Sequence, residues 1–193
     1  MMRPVQTTKW LAAALVLPLM CAAVPFAATQ AAEQTVMVGG APMYPTKNIV
    51  QNAVNSSDHT TLVAAVKAAG LVDTLASAGP FTVFAPTNEA FAKLPPGTVD
   101  TLLKPENKAM LTAVLTYHVV PGRLTAKDLM ALIKKGGGKA ELKTVQGEDL
   151  TLSADMGHIY VQGAKSGVAE VTIPNVMQSN GVIHVVNSVL VPN

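Results

Sequence analysis

Phe81-Thr82-Val83-Phe84-Ala85-Pro86-Thr87-Asn88-Glu89-Ala90-Phe91 is the stretch on which the fold turns. Its first five residues alternate with period two: Phe81, Val83 and Ala85 fall on one side, Thr82 and Phe84 on the other. Pro86 cannot donate to a ladder and closes the strand. Thr87 has the short hydroxyl that caps a helix, and a short helix is expected through Phe91 and Leu94. Three of the four Phe of the chain lie in these eleven residues. The segment therefore supplies much of the aromatic core.

Helical patterns lie on both sides of this strand. Ile49, Val50, Ala53 and Val54 form a first stripe, broken by Asn55-Ser56-Ser57. Asp58 is a candidate N-cap for a second helix with Leu62, Val66 and Ala69 inward and Gly70 as its stop. A short turn follows over 72–76. Beyond the strand, Thr98 can cap a helix over 99–103, and Met110, Leu111, Val114 and Leu115 form an apolar face leading into a strand at Tyr117-His118. Thr125 and Asp128 have capping-box spacing, opening a helix with Leu129, Leu132 and Ile133 inward. From Ala140 the period shortens to two. Strands are expected around Leu142 and Leu150-Leu152, with Gly147-Glu148-Asp149 between them, and then over 159–162, 168–173 and 182–191. Helices in the first half and strands in the second, with one early strand among the helices, define an α+β class.

The N-terminus has the composition of an export signal: Arg3 and Lys9, an uncharged apolar run from Leu11 to Met20, and small residues at Thr29 and Ala31. Residues 1–31 are assigned to a signal peptide cleaved after Ala31, with Ala23 as the alternative site. The chain is thereby expected to be exported, periplasmic or extracellular. Pro18 and Pro25 interrupt the apolar stretch, which disfavours an uncleaved membrane anchor. Cys21 is preceded by Met20 rather than a small residue, so lipid anchoring there is also disfavoured. Without Cys21 the mature chain has no cysteine, and stability must come from packing rather than disulfides. Setting aside Arg3 and Lys9 from the 14 basic residues leaves 12 against 12 acidic ones. A neutral chain argues against nucleic acid as a partner. Residues 32–46, with two Pro and Gly39-Gly40, read as an extended linker or arm, and the domain proper as 47–193.

No catalytic constellation emerges. Gly163-Ala164-Lys165-Ser166-Gly167 has its serine out of place for a nucleophile elbow, and Gly136-Gly137-Gly138-Lys139 lacks the Ser or Thr of a phosphate loop. Glu89 and Asp128 each suit the first turn of a helix. His118 and His184 lie in apolar surroundings and are expected to be neutral, hydrogen-bonded core groups. His59 and His158 are expected to be solvated. No histidine has another His, Cys or paired carboxylate two to four residues further on, so neither metal nor cofactor is expected.

Three segments belong together: the Phe81–Phe91 stretch, Tyr117-His118-Val119-Val120, and Asn180-Gly181-Val182-Ile183-His184-Val185-Val186-Asn187. Asn180-Gly181 is a turn dipeptide in which Gly would accept positive φ and set the register of the last strand. The set resembles the signature of fasciclin domains, over about Tyr44 to Asn193. That resemblance implies a wedge-shaped β-sandwich flanked by several short helices in the N-terminal half. It also implies that the last strand pairs with the Phe81 strand in the middle of the fold. Phe81, Phe84, Pro86, Thr87, Phe91, Asn180, Gly181 and His184 are then the structural signature. The function implied is non-catalytic: cell adhesion or matrix interaction with a cell-surface or matrix protein or polysaccharide. Animal relatives use the Tyr-His region and an acidic Glu-Pro-Asp-Ile-Met-type segment linked to integrin recognition. The matching residues are Tyr117 and His118, and Ile173 to Met177, giving Tyr117, His118, Pro174, Asn175, Val176 and Met177 as the candidate interaction region. Both carboxylates of that segment are missing here, which removes the groups an integrin metal site would capture. The alternative implied is a carrier of an extended apolar molecule such as a carotenoid.

Overall fold

The computed structural model describes residues 35–193. The export signal, its cleavage site and Cys21 lie outside the described residues. The segment expected as an extended arm is instead a β-hairpin. Strand β1 (Val36–Val38) pairs antiparallel with β2 (Ala41–Met43). Gly39 and Gly40, at φ 56° and 74°, make the two-residue turn that matches strand twist. Val38 and Met43 are buried in the core, so apolar burial fastens the hairpin down.

Six short helices then form one layer: α1 (Ile49–Ala53), α2 (Thr60–Ala69), α3 (Val72–Ala76), α4 (Asn88–Ala92), α5 (Thr98–Leu102) and α6 (Lys108–Tyr117). Strand β3 (Phe81–Pro86) lies between the third and fourth of them. Strand β4 (Val119–Pro121) follows α6, and α7 (Ala126–Lys135) leads to β5 (Lys139–Lys143), β6 (Asp149–Asp155), β7 (His158–Gln162), β8 (Val168–Gln178) and β9 (Gly181–Val186).

The seven strands β3–β9 form one sheet in the order β4-β3-β9-β8-β7-β6-β5. Strand β9 runs parallel to β3, from Phe81 opposite Gly181 to Pro86 opposite Val186, and antiparallel to β8 on its other side. The terminal strand is therefore held on both edges inside the sheet. The far ends of the sheet also approach each other: the Val145 N–H donates to the Val119 carbonyl at 2.8 Å, bringing the β5–β6 turn onto β4. The sheet is nearly a closed barrel, which protects edges that would otherwise be free.

Both faces of the β3–β9 pair are buried, and the period-two alternation sorts its side chains. Val83, Ala85, Ile183 and Val185 pack under the helices against Leu62, Val66, Leu111 and Leu115. Phe84 and Val186 face the barrel interior with Tyr117, Leu129, Leu150, Leu152, Val161 and Leu190. Burying an aliphatic side chain contributes roughly 1.5–3 kcal/mol, so this one pair of strands anchors two cores.

Several local expectations change. Asp58 is not an N-cap; a 3-10 turn over Ser57–His59 precedes α2. Thr98 is the first residue of α5, behind Gly97. Tyr117 ends α6 rather than entering a strand. The last strand stops at Val186 rather than Val191. Met110 and Leu132, expected inward, are exposed because each sits at the rim of its helical stripe.

Candidate functional site

Asn180 is the residue through which the two layers are tied. Its amide donates to the carbonyls of Leu75 (2.7 Å) and Ser77 (2.9 Å), and its Oδ1 accepts the Ile49 N–H at 3.1 Å. Its own carbonyl accepts the Phe81 N–H. One buried side chain thus satisfies backbone groups from α1, the end of α3 and the residues after it. The neighbouring glycine acts differently from expectation. Gly181 is the first residue of β9 and does not occupy the left-handed region. Its requirement is steric: a Cβ there would overlap the Phe81 carbonyl oxygen of the parallel partner strand.

Three histidines are buried. His118 donates through Nδ1 to the Val114 carbonyl (2.7 Å) and accepts the Leu190 N–H at Nε2 (3.0 Å). Only the neutral ring can do both. Burial pushes its pKa down to about 4, against the opposing pull of the Val114 carbonyl. His184 uses the opposite tautomer. Its Nε2–H donates to the Leu124 carbonyl (2.9 Å), and Nδ1 accepts the Asn175 N–H (3.4 Å). The ring stacks on Phe84 with centroids 5.8 Å apart, and burial lowers its pKa against the Leu124 carbonyl. His59, expected to be solvated, is 3% exposed. Its Nδ1 lies 2.9 Å from Ser56 Oγ, while among the described residues Nε2 has no hydrogen-bond partner. Burial lowers its pKa, with the Ala85 backbone and then Asp58 acting in the other direction. His158 is exposed and pairs with Glu170 at 2.9 Å.

Of the candidate interaction residues, Tyr117 and His118 lie inside the domain, at 0% and 2% exposure. The Tyr117 hydroxyl donates to the Asp149 carbonyl (3.1 Å) and accepts the Ala164 N–H (2.9 Å). Desolvation raises its pKa, more than the Ala164 N–H lowers it. In this structure these two residues brace the interior and do not offer a contact surface. The other segment is partly outward-facing. The register of β8 against β9 shifts between Val171 and Ile173 and again between Ile173 and Val176. Through this irregularity Pro174 and Asn175 are exposed while Val176 is buried and Met177 half-buried.

Asn175 sits at φ 59°, a conformation Asn tolerates better than most side chains. Its Oδ1 accepts the Ala126 N–H at 2.7 Å, at the start of α7. Beside it opens a groove of about 370 Å³ lined by Lys127, Met130, His158, Thr172 and Pro174. The β6–β7 turn that supplies His158 carries Met156, which is 94% exposed at φ 47°. Nothing in the local pattern flagged this face except the Pro-Asn pair, because the groove is assembled from α7, a turn and a bulge far apart in sequence. Under the helices is an apolar cavity of about 50 Å³, lined by Met43, Ile49, Leu62, Val83, Ile183 and the ring of His59. A benzene-sized site measures about 150 Å³, about three times this space. Among the described residues no three His, Cys, Asp or Glu side chains are grouped to hold a metal ion.

The domain is a near-barrel whose last strand is clasped between β3 and β8. Residues 57–192 match the Fasciclin domain family, and the chain belongs to it. Protein sll1483 of Synechocystis sp. is 44% identical over 169 residues, covering 88% of this chain and 87% of that protein. The transforming growth factor-beta-induced protein ig-h3 of Sus scrofa is 42% identical over 131 residues, 68% of this chain but 17% of that longer protein. The FAS1 domain pair of the insect cell adhesion molecule fasciclin I superposes with a TM-score of 0.68 at 19% identity, over 76% of this chain and 51% of that chain. That likeness establishes the fold.

Proposed function

We propose that this chain is exported, with its leader cleaved after Ala31, and acts as a non-catalytic adhesion module. Its contact surface is the exposed Pro174-Asn175 bulge and the adjoining groove, which meet a cell-surface or matrix partner. One observation carries the reading: of the candidate interaction residues, only Pro174 and Asn175 are exposed; Pro174 lines the groove and Asn175 holds Ala126 beside it. Membership of a family that includes a cell adhesion molecule supports the type of function. Affinity capture from native envelope and matrix extracts tests it, with wild type and a Pro174→Ala/Lys127→Ala double variant as baits. Both substitutions are at exposed positions and are expected to leave the fold intact. A partner retained by wild type and lost at least tenfold by the variant supports the reading; equal retention by both refutes this surface.

A further inference from the structure

The exposed bulge rests on a buried imidazole. His184 reaches from β9 to two segments at once: the Leu124 carbonyl in the loop before α7, and the Asn175 N–H in the bulge of β8. Asn175 in turn holds the Ala126 N–H at the opening of α7. Both walls of the groove are therefore registered to each other through one ring. The arrangement needs Nδ1 as an acceptor, and an imidazolium has none. On protonation Nδ1–H would point at the Asn175 N–H, donor against donor, in a site with 0% exposure.

Among the described residues no charged side chain offsets this. The ring meets Phe84 from β3, the Leu124 carbonyl from the loop and the Asn175 backbone from β8. Arg123, one residue before Leu124, is turned to the Gln178 and Ser179 carbonyls. Asp128 on α7 is engaged by Thr125, and neither it nor Lys127 is among the groups that act on the ring.

We propose that His184 is a proton-sensitive latch: its neutral ring holds the Pro174-Asn175 bulge against the start of α7, and protonation releases the bulge while the sheet stays folded. The contact face is then assembled at neutral pH and opened by acid. The consequence for binding rests on the adhesion reading above, whereas the latch itself is a property of the free protein.

The test uses the full mature chain without a partner. Amide hydrogen exchange of Asn175 and Ala126 is followed by NMR from pH 7.5 down to pH 4.5, corrected for intrinsic exchange, alongside the imidazole resonances of His184. The opening constant at these two amides is expected to rise as the pH falls below about 6.5, by at most about tenfold per pH unit. Amides of β6 and β7 should keep their protection over the same range. A His184→Gln variant, if folded, should show no such slope. Asn175 and Ala126 opening only together with β6 and β7, or staying protected to pH 4.5, overturns the latch. So does a folded His184→Gln variant with the wild-type slope. A confirmed latch with partner capture unaffected by the groove substitutions would instead retire the adhesion surface and leave the latch standing.

Discussion

Gly181 illustrates how a residue's requirement can come from its neighbour rather than its own torsions. Its place after Asn180 suggests a turn glycine, yet the two-residue turn is Ser179-Asn180 and Gly181 already pairs with Gln178. What demands glycine is the Phe81 carbonyl, where a Cβ would stand. Gly181→Ala is therefore expected to cost about 3 kcal/mol or more, since backbone cannot give way as a flexible side chain could. Chemical denaturation measures this, and an unchanged midpoint would show that β3 and β9 are not so closely apposed. His184→Ala removes a stacked ring and leaves the Asn175 N–H and Leu124 carbonyl without partners. A loss of about 3 kcal/mol of stability is expected, together with lost protection of the Asn175 amide at neutral pH. An unchanged melting point would show that the ring is not a structural support.

At the scale of elements, the ends of the helices separate what is local from what is not. Thr125 and Asp128 form the capping box that their spacing predicts: the Asp128 carboxylate accepts the Thr125 N–H, and the Thr125 hydroxyl accepts the Asp128 N–H. Those Thr125 hydrogen bonds also hold the Asp128 carboxyl below its usual range. Thr87 likewise caps α4 through the Ala90 N–H. Helix α2 behaves otherwise. Its opening N–H at Thr61 is accepted by Asn88 Oδ1, whose amide donates to the Ser57 carbonyl. The cap comes from a different helix, across 27 positions of chain. Asn88→Ala is expected to destabilise the domain by about 1 kcal/mol. The readout is a raised exchange rate at Thr61 with α7 unaffected; equal protection at Thr61 would show that Asn88 is dispensable.

For the whole molecule, the consequence of two cores joined by buried neutral histidines is sensitivity to acid. The pKa of His118 is about 4 in the fold and about 6.5 when unfolded. The unfolded chain thus binds the extra proton between these values. The contribution is complete above about pH 6.5 and is lost as the pH falls through about 4, amounting to about 3 kcal/mol for this group alone. His59 and His184 are shifted in the same direction and add to the effect. The melting temperature is expected to be flat near neutrality and to fall steadily below about pH 6.5. A His118→Gln variant that still folds should show a shallower fall. Identical profiles would assign the acid sensitivity to other groups.

Much of this architecture was legible in short-range pattern. The alternation of Phe81 to Ala85, the Thr87 and Thr125 caps and the left-handed stop at Gly70 depend on neighbours within a few residues. There the physics is local: torsional preference, side-chain reach and face periodicity. The burial of His59, the Asn88 cap and the groove beside Asn175 had no such signal. Each depends on a partner dozens of residues away, and sequence alone does not say which backbone group will arrive opposite a given side chain. The amino-acid order by itself determined the class of the fold and the placing of β9 against β3 through a recognisable signature. Tertiary structure alone decided which signature residues face water. Exposure is set by what the rest of the chain packs over a residue, and that sealed Tyr117 and His118 inside while leaving Pro174 and Asn175 out.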